Sequence, residues 1–199
     1  MSALLTALSW IVLAGAAPQQ PSAQQQLRSR QVAEFFVAFL EKQLVQTADA
    51  MPANKYSFAP TVGEFRGVRT FGQQVKHLAA TNYMLAAGAL GERPPDDAGD
   101  ETGPEELRMK DEILDYLRGS FRALHRAAAA IDDGNAVVGD VPISPLTGQA
   151  TRLGYLLEGL LHTYDHYGQM VIYLRMNGVV PPASRIDDRA APIRSGGGA

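Results

Sequence analysis

The sequence contains no cysteine, and this absence excludes several classes of site. A disulfide framework, a cysteine-ligated zinc or iron–sulfur centre, a cysteine nucleophile and a lipid-anchored N-terminal cysteine are all ruled out. A surplus of positive charge is also missing, since 18 Lys and Arg against 21 Asp and Glu give a formal net charge of −3. A nucleic-acid-binding protein normally carries a basic surplus or stripe, so no nucleic-acid partner is expected. The chain has four histidines, so any transition-metal site must draw on very few residues.

The rest of the composition is that of an ordinary globular protein. The 199 residues are 46% hydrophobic and 20% charged, which argues against a disordered, collagen-like or fibrous coiled-coil chain. A chain of this length fits a single domain that is large enough to bury a substantial core.

An apolar, uncharged segment near the N-terminus resembles a secretory signal peptide. Residues 3–17 are fewer than the roughly 20 that a membrane helix needs, and small residues around Ala16 fit a cleavage site. No Lys or Arg precedes the segment, so a cytoplasmic protein, or one held at a membrane by its N-terminus, is the alternative. We expect a signal peptide over residues 1–16, a polar spacer over 17–26, and export to the periplasm or the extracellular space. No stable membrane span is expected after the signal peptide is removed.

Four segments show the three- and four-residue spacing of apolar residues that is typical of amphipathic helices. Together they predict an all-α four-helix bundle over residues 27–182, in which residues 137–143 form at most one isolated strand. Gly178 and the following prolines mark the end of the bundle, and residues 183–199 are expected to be a disordered tail. The predicted helices span about residues 27–50, 70–90, 105–131 and 149–177.

Each predicted helix carries a stripe of mainly apolar residues that is expected to face the core. Glu105 and Glu106 are expected in the first turn of the third helix, where the helix dipole favours acidic side chains. The stripes consist of Val32, Phe35, Phe36, Phe39, Leu40 and Leu44 on the first helix; Phe71, Val75, Leu78, Asn82 and Leu85 on the second; Leu107, Leu114, Leu117, Phe121, Leu124, Ala128 and Ile131 on the third; and Leu153, Leu157, Leu160, Tyr164 and Val171 on the fourth.

His162 and His166 are four residues apart on the fourth predicted helix, which places both imidazoles on one face, one turn apart. Such a pair can hold one metal ion, although the spacing alone is common in helices. Both residues lie roughly 160–180° from the centre of the apolar stripe. They share that polar side with Glu158, Gln169, Tyr155 and Tyr173. They are therefore not ordinary core histidines. Two interpretations remain open: a solvated outer face, or a functional face that lines a groove between helices.

His77 is a candidate third ligand, because it lies about 100° from the centre of its own apolar stripe and so faces a seam between helices. Three imidazoles would leave positions open for water or substrate, as in catalytic divalent-metal sites. Imidazole suits Zn, Ni, Fe or Cu, and spacing does not choose among them. The alternative for His77 is a boundary histidine that bonds to a neighbouring helix. Glu158, one turn before His162, is a candidate base or orienting group, whereas His125 is expected on a solvated edge.

Several motifs resemble those of the DinB/YfiT-like family, in the same order along residues 27–182. The most specific is H-x-x-x-H-x-G-Q followed by Y-L-R-x-x-G-x-x-P-P. The resemblance implies a four-helix bundle that is often dimeric and that holds a divalent metal through His77, His162 and His166. The matching residues are Met51-Pro52, Lys55-Tyr56-Ser57-Phe58, Pro60, Thr70-Phe71-Gly72, Val75, His77-Leu78, His162, His166-Tyr167-Gly168-Gln169, Tyr173-Leu174-Arg175, Gly178 and Pro181-Pro182.

For activity, the resemblance implies the functions that are known in this family. Some relatives are thiol-dependent S-transferases or isomerases, and others resemble metal-dependent hydrolases. The family name refers to damage-inducible proteins, but the family is not a DNA polymerase. We therefore expect a homodimeric, metal-dependent hydrolase or transferase that acts on a small molecule and uses Zn, Ni or Fe. Low-molecular-weight thiols are cytosolic, so the expected export disfavours thiol transfer. The alternatives are a non-catalytic exported module that binds metal or ligand, and a purely structural bundle.

Overall fold

The computed structural model describes residues 28–98, 101–145, 147–148 and 150–185. Four long α-helices dominate these residues, which include three single-turn 3₁₀ helices and no strand, so the predicted all-α four-helix bundle is confirmed. The predicted signal peptide, the spacer and most of the predicted tail lie outside the described residues. The helices are α1 (Ser29–Ala50), α2 (Phe71–Leu90), α3 (Lys110–Ala129) and α4 (Arg152–Met176).

The helices pack so that α1 and α2 lie at opposite corners of the bundle, each in contact with both α3 and α4. α2 and α4 are antiparallel, because Gln74 near the start of α2 bonds to Gln169 near the end of α4, whereas Gly88 faces Tyr155 at their other ends. This orientation brings the first half of α2, with His77, beside the second half of α4. Among the described helices, none combines the length and hydropathy needed to span a membrane.

α2 follows its sequence pattern closely. The Thr70 hydroxyl accepts a hydrogen bond from the Gln73 backbone N–H, while the Gln73 side chain accepts one from the Thr70 backbone N–H at 2.9 Å. This reciprocal cap satisfies two N–H groups that would otherwise lack partners at the start of the helix. Gly91 ends the helix with φ = 71°, a left-handed conformation that glycine adopts without steric cost. The whole predicted stripe of α2 is buried.

Only two of the six residues in the predicted stripe of α1 are buried. Leu40 and Leu44 are buried, but Phe35, Phe36 and Phe39 are 64%, 48% and 44% exposed, and Val32 is exposed as well. The buried side of α1 is formed instead by smaller residues together with the two leucines, which allows α3 and α4 to approach closely. Its buried residues are Ala33, Val37, Leu40, Leu44, Thr47 and Ala48.

α3 begins at Lys110, later than the predicted start at residue 105, so Glu105 and Glu106 lie in the preceding loop. The cap explains the difference, because the Glu112 carboxylate accepts hydrogen bonds from the backbone N–H groups of Arg108 and Met109 at 3.2 and 3.1 Å. The remainder of the predicted stripe, from Leu114 to Ile131, is buried as expected. Residues 137–143 form turns and irregular structure, so the isolated strand considered from the sequence is absent there.

The predicted orientation of α4 is wrong. Leu157 and Tyr164, near the centre of the supposed core face, are 48% and 59% exposed, although Leu160 is buried as predicted. Tyr155 and Tyr173, on the supposed polar side, are 5% and 4% exposed. The histidine side of α4 therefore faces the interior of the bundle.

A polar seam between α2 and α4 explains this orientation. The Thr163 hydroxyl donates to the Asn82 side-chain oxygen at 3.0 Å, and the Asn82 amide donates to the Ser120 hydroxyl at 3.3 Å. All three side chains are almost completely buried, so each hydrogen bond satisfies a group that water cannot reach. Because α2 presents partners for the polar residues of α4, that side of α4 can pack inside.

Candidate metal centre

Three imidazoles converge where the first half of α2 meets the second half of α4. The Nε2 atom of His162 lies 3.1 Å from Nε2 of His77 and 3.1 Å from Nε2 of His166. One ligand nitrogen from each ring can be chosen so that all three lie within 4.8 Å of one another. His77 and His166 are only 4% and 8% exposed, whereas His162 is half-buried and closes the cluster on its outer side. The structure thus brings together the three residues that the sequence proposed.

His77 is held by a backbone carbonyl. Its Nδ1 lies 2.6 Å from the Glu101 carbonyl oxygen, which can only accept, so Nδ1 carries the proton and donates it. The Nε2 of the same ring is then an unprotonated lone pair directed at the cluster. Glu101 has φ = 65°, a left-handed conformation that costs a non-glycine residue about 1–2 kcal/mol. This strained residue presents the carbonyl that orients His77.

His166 is oriented by the side chain of Gln74, which lies one turn before His77 on α2. The Gln74 amide Nε2 lies 3.0 Å from Nδ1 of His166 and 2.9 Å from the side-chain oxygen of Gln169. The Gln74 side-chain oxygen is buried without a hydrogen-bond partner among the described residues. A half-turn of this amide exchanges its nitrogen and oxygen, so Gln74 can either donate to Nδ1 of His166 or accept from it.

Hydrogen bonds to protein groups alone cannot satisfy the ring nitrogens of His162. Its Nε2 faces two other Nε2 atoms, yet a neutral imidazole nitrogen has either one proton or one lone pair. One proton cannot point straight at two acceptors 3.1 Å away, and a lone pair would face the lone pair of His77. Its Nδ1 is also buried without a partner among the described residues. A cation bound between the three Nε2 atoms would remove the conflict between their lone pairs.

The protonation states suit metal binding. Burial is the largest cause that lowers the pKa of each ring; the pKa of His162 falls to about 3, that of His166 to about 4, and that of His77 falls as well. Neighbouring imidazoles and the positive charge of Arg69 lower the pKa of His162 and His166 further. All three rings are therefore neutral at neutral pH, which is the state in which imidazole binds a metal.

The spacing of the nitrogens also fits a divalent ion. Metal–nitrogen bonds of about 2.0–2.1 Å place neighbouring ligand nitrogens roughly 2.9–3.4 Å apart in octahedral or tetrahedral sites. The two Nε2 separations that involve His162, each 3.1 Å, fall in this range, and one nitrogen from each of the three rings lies within 4.8 Å of the others. The residues present thus fit a metal held by three imidazoles, and the geometry is shared by Zn, Ni and Fe.

The other two sequence candidates lie apart from the three rings. Glu158 accepts hydrogen bonds from the hydroxyls of Ser144 and Thr147 at 3.1 and 2.8 Å, and so ties the preceding loop to α4. It does not bond to Nδ1 of His162, and its role in chemistry stays a prediction. His125 bonds to Glu41 of α1 at 2.9 Å and takes no part in the cluster.

Two orienting groups were missed from the sequence. Gln74 carried a usable signal, because three residues before His77 is a position on the same helix face. The carbonyl of Glu101 carried none, since every residue has a carbonyl and its direction depends on the loop conformation. Both groups contact the ring nitrogen that faces away from the cluster: the Glu101 carbonyl fixes the tautomer of His77, and the Gln74 amide orients the ring of His166.

Comparison with known proteins agrees with this architecture. No curated protein matches the chain. A family model described as the DinB superfamily matches residues 38–170, about two thirds of the sequence, and this range includes His77, His162 and His166. Since the match covers most of the bundle and both helices that carry the histidines, the chain belongs to the DinB superfamily.

Proposed function

We propose that this protein binds one divalent transition-metal ion through the Nε2 atoms of His77, His162 and His166 and is a metal-dependent hydrolase or transferase. The observation that carries the proposal is the convergence of three neutral imidazoles, with two Nε2 separations of 3.1 Å. A structural role alone does not account for the arrangement, because the contacts of His162 cannot all be satisfied by hydrogen bonds.

The chemistry follows from the small number of protein ligands. A divalent ion held by three imidazoles keeps open positions, at which it supplies Lewis acidity to a water molecule or to a substrate. The protein's own contribution is to hold and orient the rings: the carbonyl of Glu101 orients His77, and the amide of Gln74 orients His166. Neutral ligands leave the full charge of the ion available to polarise a substrate.

A non-catalytic module that binds metal or ligand is the second candidate function. The observation that favours it is that, among the described residues, no carboxylate joins the three histidines in the group of possible metal ligands. The Glu158 carboxylate is hydrogen-bonded to hydroxyls of the neighbouring loop instead. Both candidate functions use the same metal site, and they differ only in whether the protein converts a substrate.

The metal site is tested by loading purified protein with Zn, Ni or Fe and measuring the bound metal by elemental analysis. Wild-type protein is expected to retain about one ion per chain, and His162→Ala to lose most of it. His125→Ala is the matched control, because His125 of α3 bonds to Glu41 of α1 and takes no part in the cluster. Free metal at 100 times its Kd should stabilise wild-type protein by about 2.7 kcal/mol. For a domain of this size, that raises Tm by roughly 5–11 °C.

Equal metal content in wild-type protein, His162→Ala and His125→Ala would show that the ligand assignment is wrong. With the metal site established, a screen of esters, amides, phosphoesters and group-transfer substrates separates the enzyme from the binding module. Metal-dependent turnover that is lost in His162→Ala and kept in His125→Ala supports the enzyme. Export and the homodimer stay predictions from the sequence.

A further inference from the structure

A cavity of about 390 Å³ lies between the start of α2 and the loop that precedes α3, and its lining includes Lys76, the residue before His77. Two links join it to the metal centre: Lys76 directly precedes His77, and Thr102 and Gly103 follow Glu101, whose carbonyl orients that ring. The cavity is lined by Gly67, Val68, Arg69, Gln73, Lys76, Thr102, Gly103 and Glu105.

Hydrogen-bond donors with positive charge dominate this cavity. The guanidinium of Arg69 is exposed and makes no ion pair or hydrogen bond with any residue that the structure describes. The Nζ of Lys76 donates to the Pro104 carbonyl oxygen at 2.7 Å and keeps its other protons available. The Gln73 amide uses its oxygen in the α2 cap, which leaves its NH₂ group free. Glu105 contributes the one carboxylate of the lining.

The backbone of Arg69 is held in place although its side chain is free. The Tyr173 hydroxyl of α4 donates to the Arg69 carbonyl oxygen at 3.1 Å, and Arg69 directly precedes the Thr70 cap of α2. The guanidinium is therefore attached to a fixed point of the α2–α4 seam. A free arginine at a fixed point of a cavity can form a bidentate pair with a carboxylate or phosphoryl group.

The charge balance at the metal centre also favours an anion. Three imidazoles contribute no negative charge, so a bound divalent ion and Arg69 would place three positive charges close together. After burial, the positive charge of Arg69 is among the influences that lower the pKa of all three rings. The carboxylates of Asp165 and Glu101 act in the opposite direction on His166 and His77. These two carboxylates offset at most two of the three charges, and Lys76 and Glu105 cancel each other.

We propose that this cavity binds an anionic oxygen group, carboxylate or phosphoryl, of the substrate, and that Arg69 is the residue that pairs with it. The inference rests on the proposed metal-dependent function and narrows its substrate class to anionic small molecules. An anion held by Arg69 lies at the same end of the α2–α4 seam as the three histidines, because the Arg69 backbone is bonded to Tyr173 of α4. Arg69 is thus a substrate-binding residue rather than a ligand of the metal.

The test measures binding of inorganic phosphate and of benzoate by isothermal titration calorimetry, with metal-free and zinc-loaded protein. We compare wild-type protein with Arg69→Gln and Arg69→Lys. Arg66→Gln is the matched control, since Arg66 lies in the same loop, is exposed and is 3.5 Å from Glu64. Loss of a charged hydrogen-bonding partner should weaken binding of at least one anion roughly 10- to 100-fold in Arg69→Gln. Arg69→Lys should recover part of the loss, and Arg66→Gln should bind like wild-type protein.

The outcomes separate this inference from the proposed function. If zinc is retained but Arg69→Gln and Arg66→Gln bind both anions equally, the inference is overturned and the metal site stands. If neither anion binds to wild-type protein in either form, the inference is also overturned. If wild-type protein retains none of zinc, nickel and iron yet binds an anion through Arg69, the anion site stands and the proposed metal-dependent function fails. Zinc content is measured in each variant. Unchanged zinc content in Arg69→Gln shows that Arg69 acts on the anion and not on the metal.

Discussion

The close approach of α2 to α4 can be tested at Gly88. A Cβ atom added there would lie 2.5 Å from Cδ1 and 2.6 Å from Cζ of the Tyr155 ring, and closer still to Cε1. Carbon atoms in favourable contact are about 3.5–4.0 Å apart, so the ring or a helix would have to move by roughly 1 Å. Overpacking of this kind costs about 1–3 kcal/mol. The better helix propensity of alanine returns about 0.5–1 kcal/mol.

The difference between these two contributions predicts that Gly88→Ala destabilises the protein by up to about 2.5 kcal/mol, which lowers Tm by up to roughly 10 °C for a domain of this size. Gly168→Ala is the matched control, because Gly168 is exposed on α4 and a Cβ there would meet nothing within 4 Å. The control should stabilise the protein by about 0.5–1 kcal/mol through helix propensity alone. Thermal and urea unfolding of the purified variants measure both changes.

Equal stability of Gly88→Ala and Gly168→Ala would refute the argument, since the two substitutions differ only in their surroundings. A double-mutant cycle gives a second check. In a Tyr155→Ala background the ring is gone, so Gly88→Ala should no longer destabilise the protein. If it still does so, the ring is not the cause of the cost, and the helices do not meet as described.

Two further predictions concern hydrogen bonds that hold the bundle together. Asn82→Ala leaves the buried Thr163 hydroxyl without its acceptor and should cost about 1–3 kcal/mol in urea unfolding, part of which Thr163→Val recovers in the double variant; a cost under about 0.5 kcal/mol would contradict the buried network. Hydrogen bonds from the backbone N–H and the hydroxyl of Ser29 lower the pKa of Asp133 below 3.8, so its contribution to stability is present above pH 3.8 and lost as pH falls through the lower folded-state value. The Tm difference between wild-type protein and Asp133→Ala should thus shrink in acid, and a constant difference from pH 7 to pH 2.5 would exclude this mechanism.

The helical periodicity predicted helix positions better than it predicted helix orientation. The second helix was correct in its ends and in its buried stripe, because its apolar residues and its cap agree. On α1, three phenylalanines with the right spacing are exposed, and on α4 the side with Leu157 and Tyr164 is outside. Periodicity reports which residues share a face, but burial depends on what the neighbouring helix presents to that face.

The candidate metal site shows the same difference between what the sequence predicts and what the tertiary structure decides. The sequence by itself determined the helical class, the family and the identity of the three histidines, because spacing and motif are properties of the chain. Only the tertiary structure decided that α2 and α4 are antiparallel neighbours, which brings the Nε2 atoms within 3.1 Å contacts of His162. It also decided that the carbonyl of Glu101 orients His77 and that Arg69 lines a cavity at the start of α2. The physical reason is that ring direction, burial and charge environment arise from contacts between segments far apart in sequence, which local patterns do not encode.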